Sequence, residues 1–255
     1  MNNYSYEKES LMTTLKNNKT PALIATGLIL VVLAFTFLAP KLFAPDNTSA
    51  PSAYNQLVND SDIIRGSKES KIVAVIFEDP QCPGCQSFSK NQSAELSKYN
   101  DRIKFVYKYL RAVSSHTFSK EANGLIYAAE KLDKKGYELA EKIYKDTLNQ
   151  TTLDRVTVLK YAEELGLNRE SLIKLAIDPS TETKVNQTQK DQDFKVPAID
   201  NFTKSETRVQ GTPSVIVFRD EKPIWITGGN DQSAFVNPGK NAAADLVSFL
   251  EANTK

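Results

Sequence analysis

Residues 71–77, Lys-Ile-Val-Ala-Val-Ile-Phe, form an unbroken apolar and β-branched run. A strand that is apolar on both faces has to lie inside a sheet covered on both sides, which points to an α/β architecture. The run leads through Glu78-Asp79-Pro80-Gln81 into Cys82-Pro83-Gly84-Cys85, so the cysteines sit at a strand's end. Beyond them, Phe88, Ala94, Leu96 and Tyr99 are spaced for a helix, and residues 103–110 (Ile-Lys-Phe-Val-Tyr-Lys-Tyr-Leu) alternate as a second strand. Residues 117 to about 178 read as consecutive helices, broken at Gly136, Gly166 and Pro179, with Asn168 as a cap. Residues 181–209 are polar and interrupted by Pro197, and read as helix with an irregular middle. Residues 213–219 and 223–227 then form a hairpin around a turn at 220–222, and residues 242–250 form a closing amphipathic helix. The expected order is βαβ, helical insert, ββα.

The chain holds only two cysteines, three positions apart. A loop that short removes little unfolded-chain entropy, so a purely structural disulfide is a poor explanation. At a helix N-terminus, unpaired N–H groups and the positive dipole end favour a thiolate, which suits Cys82. Pro83 has no N–H to lose in the first turn, and Gly84 keeps the approach to the sulfur uncrowded. Cys85 falls one turn later, within reach to resolve a mixed disulfide formed at Cys82. A zinc site needs about four ligands, and beyond the two cysteines the chain offers one histidine, His116, which reads as a loop or helix-start residue. No metal and no cofactor other than a redox-active Cys82–Cys85 disulfide is expected.

Residues 21–40 are uncharged and rich in Leu, Ile, Val and Phe between two prolines. That length suits a bilayer core of roughly 30 Å, which needs about 20 apolar residues, better than a signal-peptide core of about 7–15. Cleavage after Ala39 or Ala44 would place Phe37 or Leu42 where a small residue is wanted. Lys8, Lys16 and Lys19 precede the span, and Lys41 is the only cation close behind it. The expected organisation is a cytoplasmic tail (1–20), a single transmembrane anchor (21–43), a polar tether (44–61) and an exported domain (62–255) with its helical insert at about 117–208. Outside the cytoplasm disulfides persist. With 32 basic and 31 acidic residues, the chain has no electrostatic basis for binding nucleic acid.

The stretch Phe77-Glu78-Asp79-Pro80-Gln81-Cys82-Pro83-Gly84-Cys85, followed much later by Gln210-Gly211-Thr212-Pro213, resembles the DsbA-type branch of the thioredoxin superfamily. The resemblance runs from about residue 62 to the C-terminus. It includes Ser119, Ala122, Ala128 and Ala129 of the helical block and the Leu165-Gly166-Leu167 turn. It implies a thioredoxin fold with an inserted all-helical domain, and a cis peptide between Thr212 and Pro213 facing the sulfurs. Thr212 and Pro213, with Pro83 and Gly84, would then line the loop that receives an extended substrate strand. Two features depart from the pattern. The acidic residue that often precedes the first cysteine by six positions is replaced by Ile76, leaving Glu78 and Asp79 as substitutes for the proton relay or as solvated or capping residues. The histidine that strongly oxidising members often carry between the cysteines is replaced by Pro-Gly, so the pair's potential is open between about −270 and about −120 mV.

The leading expectation is an oxidase that donates its disulfide to exported proteins and is recharged by a membrane thiol oxidase. The alternatives are an isomerase or reductase, and a membrane-tethered client-binding module with non-catalytic cysteines.

Overall fold

A computed structural model describes residues 52–146, 153–199, 207–209, 211–226 and 238–254. Among them, five strands form a mixed sheet, β1 (Ile63–Gly66), β2 (Ile72–Glu78), β3 (Lys104–Tyr109), β6 (Ser214–Arg219) and β7 (Lys222–Ile226), in the order β1-β3-β2-β6-β7. The apolar run is β2, at the centre, parallel to β3 and antiparallel to β6. Its residues Val73 to Glu78 are all buried, as two covered faces require.

Strand alternation sorts the side chains of β2 and β3 into two cores. Ala74, Ile76, Phe105, Tyr107 and Tyr109 pack on one side with Cys85 and Phe88 of α2 (Pro83–Ser97). Leu246 and Leu250 of α8 (Pro238–Asn253) join that side. Val73, Val75, Phe77 and Val106 pack on the other side with Leu57 of α1 (Ala53–Leu57) and with Val196, Ile199 and Val209.

The insert consists of α3 (Ser119–Asp133), α4 (Gly136–Asp146), α5 (Arg155–Glu164), α6 (Arg169–Ala176) and α7 (Pro179–Asp191). Helix α3 is buried continuously from Ala122 to Ala129, as expected of a helix enclosed by others. It ends at Lys134 in the left-handed region (φ 55°). The Asn168 side chain accepts the Ser171 N–H, the cap expected from sequence, and Asp154 does the same for Thr157. In the β6–β7 hairpin, Asp220 and Glu221 both have positive φ (47° and 64°), the pattern of a tight two-residue turn.

The break expected at Pro179 falls between α6 and α7: Asp178 caps α7 and Pro179 is its first residue, where a missing N–H costs nothing. Three expectations need correction. The insert ends at Asp191, not near 208, and residues 195–196 then pair with 207–208 as a small antiparallel ribbon, β4 and β5. Residues 53–61 are not free tether, because α1 packs on the sheet with Leu57 buried and Tyr54 edge-on to Phe218. Strand β1 was not anticipated, being a four-residue edge strand antiparallel to β3. Among the described residues no helix is long and apolar enough to cross a membrane. The expected tail, span and first part of the tether, residues 1–51, lie outside them.

Candidate active site

Cys82 is the N-cap of α2, with extended backbone (φ −79°, ψ 119°), and Pro83 opens the helix. The cysteine side chain makes no cap hydrogen bond, and the N–H groups of Gly84 and Cys85 at the helix start favour a negative sulfur. Cys82 is partly exposed and Cys85 fully buried, both as free thiols. The Thr212–Pro213 peptide is cis. The Cys82 thiol donates to the Thr212 carbonyl at 3.2 Å, which brings a residue 130 positions away onto the motif. A Cβ on Gly84 would lie 3.2 Å from Pro213 Cδ and 3.5 Å from Cys82 Sγ. Glycine therefore eases the close approach of Pro213 to the cysteine pair.

The two thiols are driven apart in acidity. Cys82 is brought from an ordinary 9.0 down to about 6, first by the hydrogen bond it receives from Cys85, then by Thr212 and the backbone N–H groups, against the opposing effect of burial. The Thr212 hydroxyl is buried without another hydrogen-bond partner, which leaves its proton for the thiolate. Burial pushes Cys85 well up, reinforced by its bond to Cys82 and by the charges of Cys82 and Glu78. An accessible thiolate paired with a buried thiol is the arrangement that thiol–disulfide exchange needs.

The structure separates Glu78 from Asp79. The Asp79 carboxylate is fully buried and accepts hydrogen bonds from the Gln81 N–H (2.9 Å), the Ala112 N–H (2.7 Å) and the Ser119 hydroxyl. His116 Nδ1 lies 2.7 Å from it. Its backbone N–H points at Cys85 Sγ, 3.4 Å away, and its carbonyl accepts from the Cys82 N–H at 2.9 Å. Asp79 thus holds the loop that carries the cysteines, and its carboxylate is occupied by that task. Glu78 ends β2 and is 2% exposed. Its carboxyl is raised well above the usual range, chiefly by burial, then by the charges of Glu141 and Cys82.

Gln81, His116 and Ser119 were not singled out as site residues. Gln81 Oε1 accepts the Phe118 N–H at 2.7 Å, joining the active-site loop to the start of α3. Their only sequence signal is polarity beside a helix start, which by itself points to capping.

Fold and site together define a thioredoxin-fold protein with a cysteine pair built for exchange. Residues 58–223, well over half of the chain, match the thioredoxin family model, and the chain belongs to the thioredoxin family. By family and by site it is a thiol-disulfide oxidoreductase. Its fold is similar to that of the catalytic domain of ScsC from Proteus mirabilis (18% identity, TM-score 0.52, covering 76% of this chain and 94% of that one). It is similar also to BdbD from Bacillus subtilis in its oxidised form (15%, 0.51, 74% and 94%). A third likeness is to the thiol-disulfide exchange protein alpha-DsbA2 from Wolbachia pipientis (16%, 0.50, 73% and 90%). No curated protein matches the chain in sequence.

Proposed function

We propose that the protein is an extracytoplasmic oxidase, anchored by residues 21–43, that donates its Cys82–Cys85 disulfide to exported proteins. The observation that carries this reading is the divergence of the two thiols, with Cys82 at about 6 and Cys85 pushed up by burial. A stabilised Cys82 thiolate favours the reduced form of the pair, and a pair that favours its reduced form is a strong oxidant.

In the forward reaction a client thiolate attacks Cys82 Sγ, the client–Cys82 bond forms, and Cys85 leaves with the electron pair of the broken disulfide. A second client thiolate then displaces Cys82, so the client gains a disulfide and the protein keeps two thiols. A membrane thiol oxidase restores the disulfide, and no other cofactor enters. Glu78 supplies the proton that the departing Cys85 thiolate takes, while Asp79 holds the loop in register. Gly84, Pro83, Thr212 and Pro213 form the surface on which an extended client segment lies beside Cys82. The uncharged 21–40 segment and the lysines before it support the anchor and its orientation.

The test is the equilibrium of the pair against a glutathione buffer, combined with trapping of its redox state in cells. The oxidase reading expects a potential well above the approximately −270 mV of thioredoxin and a pair found oxidised. A potential near that of thioredoxin, with the pair found reduced, contradicts it in favour of a reductase.

A further inference from the structure

Among the described residues two glutamates are buried, Glu78 at 2% and Glu141 at 9% exposure, and they lie on the same side of the sheet. Ala74 and Ile76 of β2 pack into the core that holds Cys85, Tyr107, Tyr109 and Tyr144. Glu78 is next in that alternating series, so it faces the same core. Glu141 stands on α4, which packs against α2, and accepts a hydrogen bond from Ser89 of α2 at 2.7 Å. The same core holds two tyrosines with buried hydroxyls. Tyr109 is the register partner of Glu78 on β3, and its hydroxyl and that of Tyr144 on α4 are buried without a hydrogen-bond partner. On its outer side Glu141 lines an open hollow of about 570 Å³ together with Ser93, Tyr137, Lys142 and Lys145.

We infer that Glu78 and Glu141 form a two-carboxylate proton path that joins Cys85 to the hollow beside α4, with Glu141 as the outer acid. The inference rests on Glu78 being the inner acid, as proposed above. Cys85 is sealed from the surface on which Cys82 opens, so its proton needs a route through the interior. When the Cys82–Cys85 bond breaks, the Cys85 thiolate takes the proton of Glu78, Glu78 is reprotonated from Glu141, and Glu141 from solvent in the hollow. Closure of a mixed disulfide runs the same transfers backwards. The groups that set the inner carboxyl are Cys82, Cys85, Glu141, Tyr107, Tyr109 and Tyr144. Those around the outer carboxyl are Ser89 and Ser93 from α2 and Tyr137, Glu138 and Lys145 from α4. Burial holds Glu141 above the ordinary carboxyl range despite the two serines and Lys145, which suits a group that must pass a proton inward.

The experiment follows opening of the Cys82–Cys85 disulfide by reduced glutathione in the full-length protein, from about pH 6 to about pH 8, at low and high imidazole. Glu141→Gln is expected to slow opening on the order of tenfold, less than the roughly hundredfold or more that a directly acting general acid contributes. Imidazole is expected to restore the rate, and Glu141→Asp to retain most of it. Glu141→Gln with the wild-type rate and pH profile, or slowed equally at every pH and imidazole concentration, overturns the inference. Glu78→Gln separates the two readings. If it is slow while Glu141→Gln is not, only the outer acid fails, and if it opens at the wild-type rate the inner acid fails with it.

Discussion

At the scale of single residues, the chemistry turns on Cys82. Its thiol is lowered from 9.0 to about 6 in the folded protein, so between those values the folded reduced chain has lost a proton that the unfolded chain keeps. The sign follows from linkage: stability of the reduced form rises with pH across that window, is fully present above 9, and is lost as pH falls through 6. The slope is about 1.4 kcal/mol per pH unit. At pH 7 the gain is about 1.4 kcal/mol, equal to about 30 mV toward a more oxidising couple. Denaturant unfolding of both redox forms is expected to show this rise for the reduced protein and not for the disulfide form. A reduced form with no such slope, or Cys82 alkylation with a midpoint near 9, contradicts it.

At the scale of elements, the active-site loop is held by Asp79, which ties the end of β2 to the segments after β3 and before α3 through Gln81, Ala112, His116 and Ser119. Asp79→Ala strands several buried donors at once and is expected to cost about 3 kcal/mol. His116→Ala removes one bond at the rim and is expected to cost about 1 kcal/mol. Thermal unfolding of the two variants checks the ratio, and equal losses would refute the assignment. Part of this was legible in the sequence. Period-two alternation places Glu78 on the face of Ile76, the position where the related proteins often carry their acid, and leaves Asp79 just past the strand end for the loop. The partners of Asp79 were not legible, because they lie up to 40 positions away and meet it only through the crossing of β3 and α3. Glu141 was hidden for the same reason, an acid on a helix whose neighbours look like any solvated face. Strand β1 escaped because four residues are too few to establish a period.

At the scale of the whole molecule, a buried cluster of four charges fastens the insert to the sheet. Lys108 of β3 is fully buried and bridges Asp62 (2.8 Å) and Asp191 of α7 (3.0 Å), while Lys184 of α7 also meets Asp62. Burial raises Asp191 and lowers Lys184 despite these partners, so desolvation offsets much of the attraction. Such a cluster specifies where α7 docks more than it stabilises the fold. Lys108→Met alone leaves Asp191 without its cation and Asp62 with Lys184 only, and is expected to cost about 3–5 kcal/mol. Replacing all four, Lys108, Asp62, Asp191 and Lys184, together with apolar residues of similar volume is expected to cost far less. Denaturant unfolding distinguishes the two, and a single variant within about 1 kcal/mol of the parent would contradict the account. The large features at this scale, the central strand, the insert and the closing hairpin, follow from apolar period and turn residues and were legible. The α7 docking was not, since a lysine inside an alternating strand reads as a solvent-facing residue until a helix is seen to cover it.

The central claim is that Cys82 is the exchanging sulfur and Cys85 its resolving partner. Cys85→Ser removes resolution and leaves the Cys82 thiolate exposed. Incubated with thiol-bearing clients under oxidising conditions, this variant is predicted to accumulate mixed disulfides at Cys82, with the reverse variant, Cys82→Ser, accumulating none. Adducts at Cys85 in the reverse variant, or no adducts in either, would contradict it.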